Sequence, residues 1–436
     1  MNRAVFGKLK KWKMDKNKKP LVVRGVRQVG KTWLVEEFSK EFETYVKIDF
    51  EKQTEYKQLF ETTKDPQRLI ENISLVTGIK IDDKTLIFFD EIQCCSDALN
   101  SLKYFCEDAP QYNVVCAGSL LGIQLAKGFP VGKVDFLDVL PMTFEEFLDA
   151  DNSANLLSYI KGIDTINQIP SLFSGPLSEK LAIYMFIGGM PEVVKCWRDT
   201  HDINKCCKII DNILEAYRSD FGKYAPNIDM PKINLIWDSL TSQLSKENKK
   251  FLYKVVKEGA RAREYENSLN WLCDASLLSK VYKVKKPNFP LSAYVDRLAF
   301  KIYMSDVGLL RQHANIPYNI LINKSNLFTE FRGSLTENYI LQCLQSVYNQ
   351  PTYYWSNNNY EVDFVLQNED QIIPIEVKAG NNVASTSLKN YIKLHEKETQ
   401  LAVRFSTNNL SLDGKILNIP LYLAEELPHI LKLVIK

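Results

Sequence analysis

Between Pro20 and about Pro141 the chain alternates two hydrophobic patterns. Strands are predicted at Leu21–Arg24, Tyr45–Phe50 and Val134–Val139, and Leu86–Phe89 and Val114–Ala117 are short unbroken apolar runs. Runs of this kind mark strands buried on both faces. Between them, apolar residues recur every three to four positions, which predicts helices over Lys31–Phe42, Pro66–Thr77 and Leu99–Cys106. In the first of these, Leu34, Val35 and Phe38 share one face. Strands alternating with helices predict an α/β fold: a parallel sheet covered on both sides.

The pattern changes after Pro141. Phe144 to Tyr224 is helical in spacing, broken at Gly188-Gly189-Met190-Pro191, and fits a small helical domain. From Ser242 to Pro287, two or three short helices precede Leu277–Val284, a candidate β-ribbon. From Leu291 onward the chain returns to mixed α/β, with a helix expected at Leu335–Tyr348, strands at Val362–Leu366 and Ile372–Val377, and a helix near Ser387–His395. The expected division is 1–141, 142–228, 229–290 and 291–436.

Charge sharpens the third segment. Over the whole chain Lys and Arg number 55 against 53 Asp and Glu, so any nucleic-acid contact must come from a local patch. Residues 241–290 carry eleven Lys and Arg against five Asp and Glu. Helices, a ribbon and excess positive charge suggest a winged-helix DNA-binding module; a charged helical linker domain is the rival reading. Seven lysines between Gly7 and Lys19 read as a solvated amphipathic helix, with a phosphate-binding arm as the alternative. The nine Cys and four His show no metal-ligand spacing, as expected of reduced thiols in a cytoplasmic protein. No leader pattern is visible at the N-terminus, and no apolar run approaches the ~18–20 residues of a membrane span, so no membrane partner is expected.

The first chemistry-bearing motif is Gly25-Val26-Arg27-Gln28-Val29-Gly30-Lys31-Thr32. It lies between an apolar strand and a helix, as a phosphate-binding loop requires. Its backbone N–H groups and the helix N-terminus suit the phosphates of ATP. Lys31 supplies a positive charge for the β- and γ-phosphates, and the Thr32 hydroxyl is a ligand for Mg²⁺. Leu86-Ile87-Phe88-Phe89 then places Asp90 and Glu91 at the carboxyl end of a buried strand. Asp90 is expected to hold Mg²⁺ through a water and Glu91 to polarise the attacking water. Ser119, after Val114–Gly118, is a candidate γ-phosphate sensor and equally a helix cap. Arg218 is a weak candidate for an arginine finger.

A second constellation lies near the C-terminus. Asp363 starts one strand, and Glu376 and Lys378 project from one face of the next. Two carboxylates and a lysine so placed can hold Mg²⁺ or Mn²⁺ for phosphodiester cleavage. This is the layout of PD-(D/E)XK nucleases, which often add a carboxylate from the preceding helix, here Glu337. The alternatives are a retained scaffold without activity, or a solvated strand face carrying a Glu–Lys pair.

With both sites placed, the chain resembles a family of prokaryotic AAA-type ATPases with a C-terminal domain of unknown function bearing nuclease-like elements. The resemblance rests on Gly25–Thr32, Phe88–Gln93, Ala117–Ser119, Leu140–Phe147, Gly188–Glu192, Ser305–Leu309, Glu361–Asp363 and Glu376–Lys378. It implies a P-loop AAA-type core with a helical lid, then a winged helix, then the nuclease-like domain. Such proteins often have Arg just before the last core strand, where this chain has Gly132-Lys133; if that Arg completes the ATP site, Lys133 would do so less well. The leading expectation is a Mg²⁺-dependent ATPase coupled to DNA engagement, with nuclease activity open. The alternatives are a nucleotide-dependent switch whose nuclease-like domain only binds DNA or a protein partner, and an adaptor that uses ATP for assembly. A homo-oligomer is left open.

Overall fold

The structure, a computed structural model, describes residues 2–119, 121, 132–225, 229–245, 249–318, 329–380 and 386–435. The chain divides into two compact units: Asn2–Leu140 with Trp271–Leu277, and Pro141–Asn270 with Leu278–Lys436.

The first unit is built on five parallel strands, β1 (Leu21–Arg24), β2 (Thr44–Asp49), β3 (Thr85–Asp90), β4 (Asn113–Ala117) and β5 (Asp135–Asp138), in the order β2-β3-β4-β1-β5. Every residue of β3 and β4 is buried, which is why these runs lack polar alternation. Phe50, Phe60 and Phe89 pack edge to face or tilted on one side of the sheet, with centroids 5.4–5.9 Å apart. The helix Pro66–Thr77 has the expected bounds because its ends are encoded locally. Asp65 accepts from the backbone N–H of Gln67 and Arg68, and Gly78 closes the helix in the left-handed conformation. The lysine-rich segment forms the helix Phe6–Met14, which buries Leu9 and Trp12 and pairs Lys10 with Glu41. The amphipathic reading describes it.

The second unit combines helices with an eight-stranded sheet, β6 (Leu278–Val284), β7 (Val295–Met304), β8 (Tyr353–Ser356), β9 (Glu361–Asn368), β10 (Gln371–Val377), β11 (Ala402–Ser406), β12 (Ser411–Asp413) and β13 (Ile416–Pro420). Their order is β12-β13-β11-β10-β9-β8-β6-β7. Here the expected boundary at residue 290 needs correction. It falls between β6 and β7, which pair antiparallel, and β8 pairs along the other side of β6. The ribbon is therefore part of the C-terminal sheet and not a free wing. Of the basic residues between 241 and 290, Lys246 lies outside the described residues.

Three motifs far apart in sequence meet in this unit. The Met142 N–H donates to the Gly189 carbonyl at 2.7 Å, and the Gly189 N–H donates to Asp306 Oδ2 at 2.7 Å. Tyr184 donates to the Met142 carbonyl at 2.6 Å, and Gln342 donates to Tyr184 at 2.8 Å. Gly308 lies so close to the helix end before Gly188 that a Cβ there would sit 2.4 Å from backbone atoms of Ile187 and Gly188. The residues around Pro141, Gly188 and Asp306 thus form one hydrogen-bonded knot, joining the helices after Pro141 to the strands after Leu291.

Candidate functional site

In the first unit, β1 lies between β4 and β5 and ends at the phosphate loop, while β3 ends at Asp90 two strands away. Ligands of open parallel sheets bind at this carboxyl edge. Thr32, at the start of the helix Lys31–Ser39, directs its Oγ1 to the two Asp90 carboxylate oxygens at 3.2 and 3.1 Å. The two expected Mg²⁺ residues therefore face the same point, and both are oxygen donors of the kind Mg²⁺ requires, so they fit that ion. Lys31 is folded into the loop, donating to the carbonyls of Gly25 at 2.9 Å and Val26 at 3.0 Å. Burial pushes its ammonium down to about 8; Glu91 and Asp90 pull the other way, and Arg27 adds to the lowering.

Glu91 adopts a left-handed backbone conformation with φ 49°. Its carboxylate is held by two donors. Gln93 Nε2 bonds to Oε2, and Ser119 Oγ donates to the same oxygen at 3.3 Å. Ser119 therefore contacts Glu91, beside its candidate role as sensor.

Two further residues of this site were not singled out from the sequence. Lys47 on β2 places Nζ 3.0 Å from Asp90 Oδ2 and 2.8 Å from Glu36 Oε1. Burial alone would lower this ammonium, but its bonds to Glu36 and Asp90 outweigh that and raise it. Arg3 donates to the carbonyls of Val29, at 3.3 Å, and Leu140, at 2.6 Å, bracing the loop from the N-terminus. An isolated Lys in an alternating strand and an Arg ahead of the first helix carry no sequence signal of such roles. A cavity of about 260 Å³ opens beside the loop, lined by Gly25, Ser119, Asp138 and Ser276 among others.

Lys133 and Arg218 are placed elsewhere. β5 runs parallel to β1 with Asp138 opposite Arg24, so the loop end of β5 is its carboxyl end. Lys133 precedes the other end and pairs with Glu107 at 2.8 Å. Arg218 is engaged by Asp238 within the second unit.

In the second unit, β9 and β10 form the expected hairpin, and Asp363 Oδ2 accepts from the Val377 N–H at 2.8 Å. Burial, with Glu337 adding to it, pushes the Asp363 carboxyl up to about 7. Glu337, on the helix Thr329–Val347, is buried and bonded to Tyr303 at 3.1 Å and to Lys249. Glu376 is buried too, but pairs with Lys378 at 3.2 Å, and its Oε2 has no hydrogen-bond partner among the described residues. Glu337 and Asp363 therefore share a neighbouring ammonium group, while Glu376 pairs with Lys378. Lys301 from β7 stands 4.0 Å from Glu337 and 3.9 Å from Asp363. Among the described residues, no group of three or more His, Cys, Asp or Glu side chains converges as a metal site. The C-terminal carboxylates, which the sequence offered for Mg²⁺ or Mn²⁺, are paired with ammonium groups in this arrangement.

No helix among the described residues is long and apolar enough to cross a membrane.

Comparison with known proteins matches residues 17–148 to the AAA domain, and residues 178–319 and 332–423 to two different domains of unknown function. An uncharacterized protein of Methanocaldococcus jannaschii is 23% identical over 418 residues, covering 92% of this chain and 81% of its own length. Among solved structures, the Walker-type ATPase of Pyrococcus abyssi overlaps 71% of this chain and 94% of its own, at 12% identity and a TM-score of 0.45. PCH-2 of C. elegans overlaps 49% of this chain and 66% of its own, at 11% identity and a TM-score of 0.28. The AAA match falls on the strands, loop and acidic residues just described, and the chain carries an AAA-type P-loop ATPase domain.

Proposed function

We propose that this chain is a Mg²⁺-dependent ATPase that uses nucleotide turnover to govern how it holds nucleic acid, and that its C-terminal domain binds without cutting. The observation that carries the first part is the meeting of Thr32 with Asp90 beside a Glu91 held by Gln93 and Ser119. When bound, Mg²⁺ would neutralise phosphate charge at Thr32 and Asp90. Lys31 offers a second positive charge to the phosphates, and the loop N–H groups orient them. Glu91 accepts the proton of the attacking water. Its two hydrogen bonds fix where the carboxylate points.

The nucleic-acid part is supported by exposed Lys254, Lys257, Arg261, Arg263, Lys285 and Lys286 in the second unit. These are point charges and forks suited to phosphates, and binding through them is salt-dependent. The non-cutting part is supported by the ammonium groups seated among the C-terminal carboxylates.

The test is ATP turnover measured with and without DNA, with a cleavage assay on the same preparation. Lys31→Ala is expected to abolish turnover, and DNA affinity is expected to fall with salt and to depend on ATP. Turnover unchanged in Lys31→Ala would remove the ATPase reading. Absence of DNA affinity at low salt would remove the nucleic-acid reading. Cleavage lost in both Asp363→Ala and Glu376→Ala would overturn the non-cutting reading.

A further inference from the structure

Three carboxylates and two ammonium groups share one buried space in the second unit. β7 carries Lys301 to 2.5 Å from Glu361 Oε1, 3.9 Å from Asp363 Oδ1 and 4.0 Å from Glu337 Oε2. Its side chain is fully buried, and Nζ lies 5.0 Å from the ring centre of Tyr354 on β8. Lys301 and Tyr303 are two apart on one strand and so face the same way, and Tyr303 bonds the same Glu337 oxygen at 3.1 Å. Lys249 takes the other Glu337 oxygen. The main-chain bond from the Phe251 N–H to the Phe300 carbonyl, at 2.8 Å, holds the Lys249 segment against β7.

A buried ammonium is retained only where anions surround it. Here the surrounding anions are Glu361, Glu337 and Asp363. A divalent ion at this point would need oxygens about 2.0–2.6 Å away. The space between the oxygens of Glu337, Glu361 and Asp363 is already occupied by the ammonium of Lys301, whose side chain is fully buried. Glu376, the remaining carboxylate expected of a metal site, turns to Lys378 instead.

We propose that Lys301 is a resident cation standing where a divalent metal would bind, so that the C-terminal site is locked in a metal-free form. This deepens the non-cutting reading given above, and it can fail separately from that reading. Lys301 holds the carboxylates together as a metal would, while offering no open coordination position to a water or a phosphate. The nuclease-like arrangement is thereby kept as a charged scaffold.

The experiment is Mn²⁺ binding to the nucleotide-free full-length chain, followed by electron paramagnetic resonance. Asp90→Asn removes the P-loop carboxylate and Asp363→Asn the C-terminal one. The expected result is that Asp363→Asn binds Mn²⁺ as the unaltered chain does. Mn²⁺ binding that survives Asp90→Asn and is lost in Asp363→Asn would overturn the proposal, even for a chain that cuts no DNA. Lys301→Met is expected to bind Mn²⁺ at least tenfold more tightly than the unaltered chain. That gain should vanish when Asp363→Asn is added, and Mn²⁺ should raise the Tm of Lys301→Met alone. A folded Lys301→Met, with ATP turnover intact but no gain in Mn²⁺ affinity, would also overturn it. If Lys301→Met does not fold, the Asp90→Asn and Asp363→Asn comparison decides alone.

Discussion

Lys47 Nζ and Asp90 Oδ2 are 3.0 Å apart, an ion pair across neighbouring strands at the carboxylate expected to serve Mg²⁺. Asp90 is buried and also receives Thr32 and the Glu91 N–H at 3.1 Å. Lys47 therefore fixes the carboxylate, and its charge opposes a divalent ion at the same oxygen. Lys47→Met is expected to lower the Mg²⁺ concentration giving half-maximal ATP turnover by roughly three- to tenfold. A Mg²⁺ titration of turnover checks this. An unchanged or increased Mg²⁺ requirement would show that Lys47 only orients Asp90.

Gly118 bears on Glu91 through Gln93. A Cβ at Gly118 would lie 2.0 Å from Gln93 Oε1, the far end of a side chain that can move. Gly118→Ala should therefore fold, but displace the amide that holds Glu91. The expected outcome is a fall in kcat of about tenfold or more, with nucleotide affinity changed less than about threefold. Equal losses in both, measured by steady-state kinetics and nucleotide binding, would place the effect on the loop and not on Glu91.

Asp306 is the centre of the knot in the second unit. Its carboxylate accepts from the Gly189 N–H at 2.7 Å and the Leu309 N–H at 3.0 Å, and it is fully buried. Asp306→Ala would leave both donors unpaired away from water. The expected loss is about 2–4 kcal/mol, read from the urea transition of the second unit. A loss below about 1 kcal/mol would mean that the knot relaxes or admits water.

What could be read from the sequence follows how local each feature is. The phosphate loop is eight consecutive residues, and Asp90 is announced by the apolar run before it, so both were legible. Asp65 and Gly78 fixed one helix for the same reason. The sequence also held the residues around Met142, Gly189 and Asp306, but not their meeting, because the Gly189–Asp306 contact spans 117 positions. Lys301 was invisible. It is the one charged residue of Leu298–Met304, with no ligand spacing around it, and only the ordering β9-β8-β6-β7 brings it across Tyr354 to Asp363. The ribbon boundary was misplaced because a hairpin reads the same whether or not a third strand joins it.

Glu425 gives the clearest pH dependence. Its two oxygens accept from the N–H groups of Phe144 at 2.7 Å and Glu145 at 3.1 Å, at the start of the helix Phe144–Ala150. Burial nevertheless pushes its carboxyl from 4.5 up to about 7, against the pull of those N–H groups. Glu145 beside it is pushed up to about 8, first by burial and then by Glu425. A carboxyl with a raised folded-state pKa favours the folded chain in its protonated form. Its contribution is fully present below about pH 4.5 and is lost as pH rises through about 7. Glu425→Gln keeps one acceptor for the helix and cannot titrate. Across this window the stability of the unaltered chain should therefore fall relative to Glu425→Gln, by up to about 3 kcal/mol. Urea unfolding at pH 5 and pH 7.5 measures the difference directly. A difference that is the same at both pH values would show that Glu425 stays ionised throughout, with the helix N–H groups outweighing its burial.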